Sequence, residues 1–440
     1  MIRVAKFTAA LAAVGLLSAP LSVEAQARRT PAALAPAAPA SQGFDAARLA
    51  KLDAALKAAV DDGRVAGMVT VLGRNGRVVD TNVWGRKSLA TGAPMTEDTI
   101  FRIYSMTKPV TGVALMILFE EGRWRLEDPV TKFVPEFSKL KVVKSVGADG
   151  TPVLEDMKRP PTMRELLTHT ASFGYGLSGS DPVNKAFRDQ QVLRSQGSQQ
   201  LIDRVASIPL MSQPGEAWRY SVAVDVQGVI VERLSGQPLD VFMAERIFKP
   251  LRMVDTGFQV PAAKAGRFAA VYAVGAEGKL TEAVPGPGVQ DFTQPPPFFS
   301  GGGGLVSTAS DYARFCQMIL NGGELDGARI LAPATVKLLG ENHLPANLGV
   351  TADGRGGFGF APGQGFGLGF STVEDPAAAG TLEGEGTLSW GGAAGTWFWI
   401  DPANDLFFVG MIQRFGGSGS LGVAQQSRAL VYQALVDPAK

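Results

Sequence analysis

Imidazole and thiol groups are nearly missing from this chain. Among 440 residues there are two histidines, His169 and His343, and one cysteine, Cys316. That removes His/Cys zinc sites, iron–sulfur clusters and disulfide scaffolds, because each needs several such groups together. Charge is also sparse: charged residues make up 19%, and 42 basic against 41 acidic groups leave a formal charge of +1 without a long run of either sign. Such a balance argues against a nucleic-acid binder or a polybasic protein of membrane surfaces. Beyond the N-terminus no run of 18 apolar residues is free of charge, which argues against a later transmembrane span. The 53 glycines follow no G-X-Y period, so a collagen-like rod is excluded. What remains, with 45% hydrophobic residues, is a chain able to bury a large core.

The N-terminus reads as an export signal. Arg3 and Lys6 precede the apolar stretch Phe7 to Leu17, which is short for a bilayer, and Ala25-Gln26-Ala27 puts small residues where a cleavage site needs them. Residues 1–27 are therefore expected to be a signal peptide cleaved after Ala27, giving a periplasmic or secreted protein. Its loss takes away Arg3, Lys6 and Glu24 and leaves the mature chain close to neutral. Export favours disulfides, yet Cys316 has no partner in the chain; within the amphipathic run 311–320 it reads as a buried helical residue. Residues 28–43 are rich in Ala and Pro and predict a linker.

From Phe44 a helical period places Leu49, Leu52, Leu56 and Val60 on one face and stops at Asp62-Gly63. Two β-rich runs, Met68 to Leu72 and Val78 to Trp84, flank Arg74-Asn75-Gly76-Arg77, and Asn-Gly between such runs predicts a hairpin because both residues tolerate positive φ. Ser105 to Glu121 is helical and apolar almost all round, the mark of a helix in the middle of a domain. Helical stretches and Pro/Gly loops alternate over residues 126–290. The final third is rich in Gly, Phe and Val, with strand-like runs at Thr396 to Ile400 and Leu406 to Ile412. Strands at both ends and helices between predict an α/β fold: one domain from residues 44–125 and 291–440 built on a sheet flanked by helices, and an inserted, mostly helical domain over 126–290.

Two imidazoles give a His-based triad few ways to form, and no intact G-x-S-x-G provides a nucleophile elbow. An exported hydrolase without these needs another base, and lysine can serve where burial or nearby positive charge lowers its proton affinity. Ser105-Met106-Thr107-Lys108 opens the apolar helix, so Ser105 and Lys108 share a face one turn apart, at a helix N-terminus that favours developing negative charge. S-x-x-K alone is weak. Ser138-Lys139-Leu140-Lys141 matches as well, but it sits among surface-like lysines and reads as a solvated loop.

Context makes the first copy specific. Trp218-Arg219-Tyr220-Ser221-Val222 follows, then Gly301-Gly302-Gly303-Gly304 and Trp390-Gly391-Gly392, with Leu166-Leu167-Thr168-His169-Thr170 between. From Phe44 to the C-terminus the chain resembles the serine β-lactamase and penicillin-binding-protein superfamily, in particular the class C β-lactamase-like carboxylesterases of family VIII. The resemblance implies a serine β-lactamase-like fold with a central antiparallel sheet. It makes Ser105 the nucleophile, Lys108 its activating partner and Tyr220 the tyrosine that shares the proton traffic, without saying which of the last two is the base. It makes the backbone N–H groups of Ser105 and Ala393 the oxyanion hole, and it puts Trp390, Gly391, Gly392 and Val222 beside the substrate. No cofactor or metal is implied.

Two departures bear on the substrate. Val222 stands where penicillin-recognising relatives have Asn, and Trp390-Gly391-Gly392 stands in place of Lys-Thr-Gly. The acyl-transfer groups are kept while recognition of an anionic β-lactam is lost, although Arg414 could restore some positive charge. The expectation is an exported serine hydrolase acting on a small, short-chain or otherwise neutral carboxylic ester through a covalent acyl-enzyme on Ser105. The alternatives are a β-lactamase, a D-amino-acid amidase or peptidase, an acyltransferase of the same fold, or a non-catalytic penicillin-binding sensor. No nucleic-acid partner is expected, and the oligomeric state is left open. His169 reads as a structural hydrogen-bonding residue, and Trp390 is as consistent with core packing as with an acyl pocket. Gly354 to Gly359 matches G-x-G-x-x-G without opening a helix, so it is not a dinucleotide site. Asp181 to Gln200 reads as a solvated connector or a flap.

Overall fold

The computed structural model describes Met1 and residues 34–177, 179–275, 277–286, 289–345, 348, 362–416 and 418–439. The expected signal peptide and the Gly354 to Gly359 run lie outside them. Strand β1 (Ala35–Pro36) pairs parallel with Arg77 and Val78, and a 3-10 turn follows at Pro39–Gln42, so the Ala/Pro-rich stretch joins the sheet from Ala35 on rather than remaining a tether. Helix α1 (Ala46–Asp61) is capped by the Asp45 carboxylate and buries Leu49, Leu52 and Leu56, as its period requires.

The hairpin forms where Asn-Gly places it. Strands β2 (Gly67–Arg74) and β3 (Arg77–Gly85) pair antiparallel around Asn75 and Gly76, whose φ angles of 50° and 71° give the mirror-image turn that suits twisted strands. Five more strands come from the last fifth of the chain: β4 (Gln364–Phe366), β5 (Ser371–Val373), β6 (Leu388–Gly391), β7 (Trp397–Asp401) and β8 (Leu406–Met411). The sheet order is β1-β3-β2-β8-β7-β6-β5-β4, antiparallel apart from β1 against β3. Its seam joins the two ends of the chain: β8 pairs with β2 from Leu406 opposite Arg74 to Met411 opposite Val69.

Both faces of this sheet are covered, and the two-residue period of each strand divides its side chains between two cores. Trp397 and Trp399 of β7, Phe408 of β8 and Met68 and Leu72 of β2 pack with α1 and with α11 (Ser418–Ala434). Phe398, Ile400, Phe407, Val409, Val69 and Val71 turn to the opposite face. There they meet α2 (Thr107–Glu120), buried from Thr107 to Leu118, and α8 (Ala309–Leu320), which carries the buried Cys316. Gly112 lets α2 pass the chain closely, since a Cβ there would lie 2.7 Å from the Leu368 carbonyl oxygen.

Between the sheet halves run α3 (Met163–Leu167), α4 (Pro182–Asp189), α5 (Ser198–Ala206), α6 (Ala223–Ser235) and α7 (Leu239–Met243). Two small hairpins accompany them, Lys141–Val146 with Pro152–Asp156 and Tyr272–Val274 with Leu280–Glu282. Their strands are short and largely exposed, so no alternation of apolar residues announces them. The second S-x-x-K copy falls in this region: Ser138 is exposed on a 3-10 turn, and Lys141 begins a strand and pairs with Asp156 at 2.5 Å. After α8 come α9 (Pro333–Gly340) and the single turn α10 (Pro376–Ala379). No helix among the described residues is long and apolar enough to cross a membrane.

One carboxylate pair between α1 and β3 sets a pH dependence of stability. Asn82 donates to both Asp53 of α1 and Asp80 of β3. Burial, with the charge of Asp53 behind it, pushes Asp80 up to about 7. A carboxyl that holds its proton more tightly when folded stabilises the fold below its unfolded value, and that contribution is lost as pH rises through about 7. Asp80→Asn is therefore expected to flatten the fall in melting temperature between pH 5 and 8, and to be more stable than the parent above pH 7 by about 1–2 kcal/mol after discounting for partial solvent screening. Identical slopes in the two proteins would show that the pair ionises without cost.

Candidate active site

Ser105 stands where a strand, a turn and a helix meet. Phe101 and Arg102 pair with Ser307 and Val306, which ties the serine's approach to the chain just after the glycine run. Tyr104 then takes a left-handed φ of 41°, unusual for a bulky residue, and turns the backbone out of the strand. Ser105 itself lies in a 3-10 turn, Tyr104–Met106, two residues before the first residue of α2, and is half-buried. Helix α2 thus begins two residues later than the sequence pattern suggests. Ser105 and Lys108 still meet.

The Lys108 side chain is 1% exposed and spends three N–H donors at once. Its Nζ donates to Ser105 Oγ at 3.3 Å, to the Tyr175 hydroxyl at 3.1 Å and to the Gly302 carbonyl at 2.6 Å, which is the full donor count of an ammonium. Tyr220 donates its hydroxyl to the same Ser105 Oγ at 2.6 Å, and the Lys108 ammonium sits 4.5 Å from the Tyr220 ring centre. Ser105 Oγ accepts from both groups, which puts the Lys108 nitrogen and the Tyr220 oxygen within proton-transfer reach of it once either has lost a proton. This is the geometry of a serine prepared for nucleophilic attack.

Tyr220 is placed by the turn around His169. The Arg219 N–H donates to the His169 carbonyl at 2.8 Å, the Ser221 N–H to His169 Nδ1 at 3.3 Å, and the Val222 N–H to the Gly174 carbonyl at 3.0 Å. His169 is held well below its usual range, first by burial and then by the Lys108 charge, so it is a neutral acceptor here. Its ring packs 5.0 Å from that of Tyr220. His343 is occupied elsewhere, with Arg164 and the Leu338 carbonyl. Neither imidazole forms a hydrogen bond with Ser105 among those seen, and no cluster of three or more His, Cys, Asp or Glu among the described residues is arranged to hold a metal ion.

The Trp390-Gly391-Gly392 segment ends β6 beside the serine. A Cβ on Gly392 would lie 2.4 Å from the Ile103 carbonyl oxygen, so only glycine lets this turn lie against the chain two residues before Ser105. Ala393 follows at an exposed turn position, and its neighbour Ala394 accepts the Arg414 N–H at 2.7 Å. Trp390 is half-buried and packs 5.7 Å from Tyr220 and 5.5 Å, edge to face, from Phe366, so its ring rests against the tyrosine that meets Ser105.

Val222 is a correction. Expected beside the substrate, it is fully buried in the core at the start of α6, where packing against other apolar side chains leaves none of its surface for a ligand. Arg414 is also enclosed, 9% exposed, and burial followed by neighbouring Arg64 holds it below the usual arginine range. Three participants were not singled out from the sequence: Tyr175, the Gly302 carbonyl, and Asp225, whose charge interacts with that of Lys108. Asp181 to Gln200 folds as α4 and its exit, and Asn184 Oδ1 accepts the Tyr175 and Gly176 N–H groups at 2.9 Å, so this segment braces Tyr175. A groove of about 640 Å³ lined by Ile319, Val336, Leu388 and Ile400 contains none of these residues.

Comparison with known proteins identifies the family. Residues 52–433 match the model of the β-lactamase family. Protein Rv1367c of Mycobacterium tuberculosis is 39% identical over 368 residues, 82% of this chain and 88% of that one. Esterase EstB of Burkholderia gladioli is 35% identical over 386 residues, 84% of this chain and 91% of that one. Among solved structures, EstCE1, described as a hydrolase with promiscuous acyltransferase activity, superposes with a TM-score of 0.72 at 28% identity over 88% of this chain and 99% of its own. The chain belongs to the β-lactamase family and, with EstB and EstCE1, to its family VIII esterase-like serine hydrolases.

Proposed function

We propose that this chain is an exported serine esterase that cleaves neutral, short-chain carboxylic esters through an acyl-enzyme on Ser105. The observation that carries the reading is the double engagement of Ser105 Oγ, by Tyr220 at 2.6 Å and by an enclosed Lys108 at 3.3 Å. With the Tyr220–Lys108 pair one proton short, as phenolate beside ammonium or hydroxyl beside neutral amine, Ser105 Oγ attacks the ester carbonyl carbon while its proton passes to that pair; the two titrations are coupled, so the pair acts as one base. The carbonyl oxygen becomes an oxyanion facing the N–H groups of Ser105 and Ala393, whose backbone donors need no particular side chain. Collapse breaks the bond to the alcohol oxygen, which leaves with the stored proton. Water then attacks the acyl-enzyme by the same steps in reverse order and releases the acid. Export rests on the basic start, apolar run and Ala25-Gln26-Ala27 of the N-terminus.

Support for an ester over an anionic β-lactam comes from the substrate wall. Trp390 occupies the place of a lysine, Val222 is closed off in the core, and the Lys108 donors are spent inside the protein. The likeness to esterase EstB points the same way. A lost charge-assisted hydrogen bond to a carboxylate corresponds to roughly 10–100-fold in rate or affinity. The purified mature protein is therefore expected to hydrolyse p-nitrophenyl butyrate with kcat/KM at least about 100-fold above that for a chromogenic cephalosporin. A reversed ratio would mean that another cation has replaced the missing lysine. A second outcome has support in EstCE1, an alcohol replacing water in deacylation; added alcohol would then yield a new ester instead of the acid.

A further inference from the structure

Asp225 lies in the first turn of α6 with its side chain 2% exposed. A carboxylate taken out of water needs a charge partner or several donors. Oδ1 accepts the Ser300 hydroxyl at 2.5 Å and the Gly302 N–H at 3.2 Å. Oδ2 is closed off from solvent and has no hydrogen-bond partner. Two donors on one oxygen leave half of the carboxylate uncompensated, and the nearby positive charge is Lys108, which donates to the carbonyl of that same Gly302.

The glycine run makes this approach possible. A Cβ on Gly302 would lie 2.4 Å from Asp225 Oδ2, and one on Gly301 would lie 2.6 Å from the Val224 carbonyl oxygen. Side chains at these positions would push α6 and its carboxylate away from α2 and its lysine. The other titratable groups facing the pair are Tyr175 and His169 from the turn after α3 and Tyr220 from the segment before α6; the glycine run adds only the hydroxyl of Ser300. Burial keeps His169 uncharged and raises Tyr175; it raises Asp225 as well, and the Lys108 charge opposes that rise.

We infer that Asp225 is a positioning residue, the enclosed counter-charge of Lys108, keeping its amino group aimed at Ser105 Oγ and fixing the glycine segment that takes its third hydrogen bond. The inference rests on the reading of Ser105, Lys108 and Tyr220 as the reacting unit. It has a consequence that does not depend on which of them is the base: removing a negative charge weakens proton binding at every group around it.

Asp225→Asn keeps the shape and the Oδ1 acceptor while removing the charge. Its test is the rate of Ser105 labelling by a fluorophosphonate from pH 5 to 10, which needs an activated serine and no ester. Both limbs of the pH profile are expected to move to lower pH by about one unit, with the maximum reduced about tenfold. A reduced maximum with unmoved limbs, or an unchanged profile, would overturn the inference.

A second measurement compares the melting temperatures of Asp225→Asn, Lys108→Met and the double variant. Each single change leaves one charge enclosed and unpaired, so the double variant should melt well above the sum of the two losses. Additive losses would overturn the pairing. An Asp225→Asn chain that folds only when Lys108→Met is added would support it most strongly. Should the parent protein fail to label at Ser105, the reading of the site fails, and the melting comparison still decides the pair.

Discussion

Ser105→Ala is expected to lower ester turnover by about 10⁴-fold or more and to abolish fluorophosphonate labelling, while Ser138→Ala changes neither. The contrast separates two copies of one short pattern by their surroundings. Ser105 Oγ receives hydrogen bonds from Tyr220 and from an enclosed lysine, and the fold supplies the second and third partners of that lysine from segments far along the chain. Ser138 is exposed, and its lysine is ion-paired across a hairpin. The variant loses one hydroxyl and leaves the Tyr175 and Gly302 bonds to Lys108 intact, so its melting temperature should stay close to that of the parent. Labelling that persists in Ser105→Ala would remove Ser105 as the nucleophile.

Tyr220→Phe carries the second large effect, a fall in kcat of about 10²–10⁴-fold with KM little changed. The ring is held by packing against His169, Tyr175 and Trp390, none of which needs the hydroxyl. What disappears is the 2.6 Å hydrogen bond to Ser105 and the proton path through it. Lys108 keeps its place beside Ser105 Oγ, so a slow reaction with its neutral amine as the base should remain, with labelling slowed and still stoichiometric. A variant with kcat near that of the parent would move the proton transfer to Lys108 and Tyr175.

Much of the framework is legible in the linear pattern where the signal is local. Asn75-Gly76 fixes a hairpin through backbone angles, α1 through the spacing of Leu49, Leu52 and Leu56, and α2 through the absence of a polar face. Ser105 and Lys108 are three residues apart, and a helical turn brings them together without help from the rest of the chain. Tyr175 and Asp225 are different. Tyr175 bonds Lys108 and Asp225 bonds the glycine that Lys108 bonds, only because the turn at 168–176, the start of α6 and the glycine run converge, and nothing in a window around either residue signals that meeting. Val222 shows the opposite error: its place in a motif says where the backbone runs, while the direction of the side chain depends on the packing at the start of α6.

The seam between β2 and β8 carries a consequence for the order of events in the cell. Leu406 pairs with Arg74, more than 300 positions earlier, and the Arg74 guanidinium donates to the carbonyls of Gln42, Asn404 and Pro438, binding both ends of the chain. Contacts this distant close late, because the entropy of a long loop must be overcome before they return any stabilisation. A ribosome that has already released the serine, the lysine and the tyrosine therefore holds a polypeptide without its central layer until the final strands are made. Acyl chemistry should begin only with the finished molecule, and a chain interrupted before Leu406 should be degraded rather than persist as a partial enzyme.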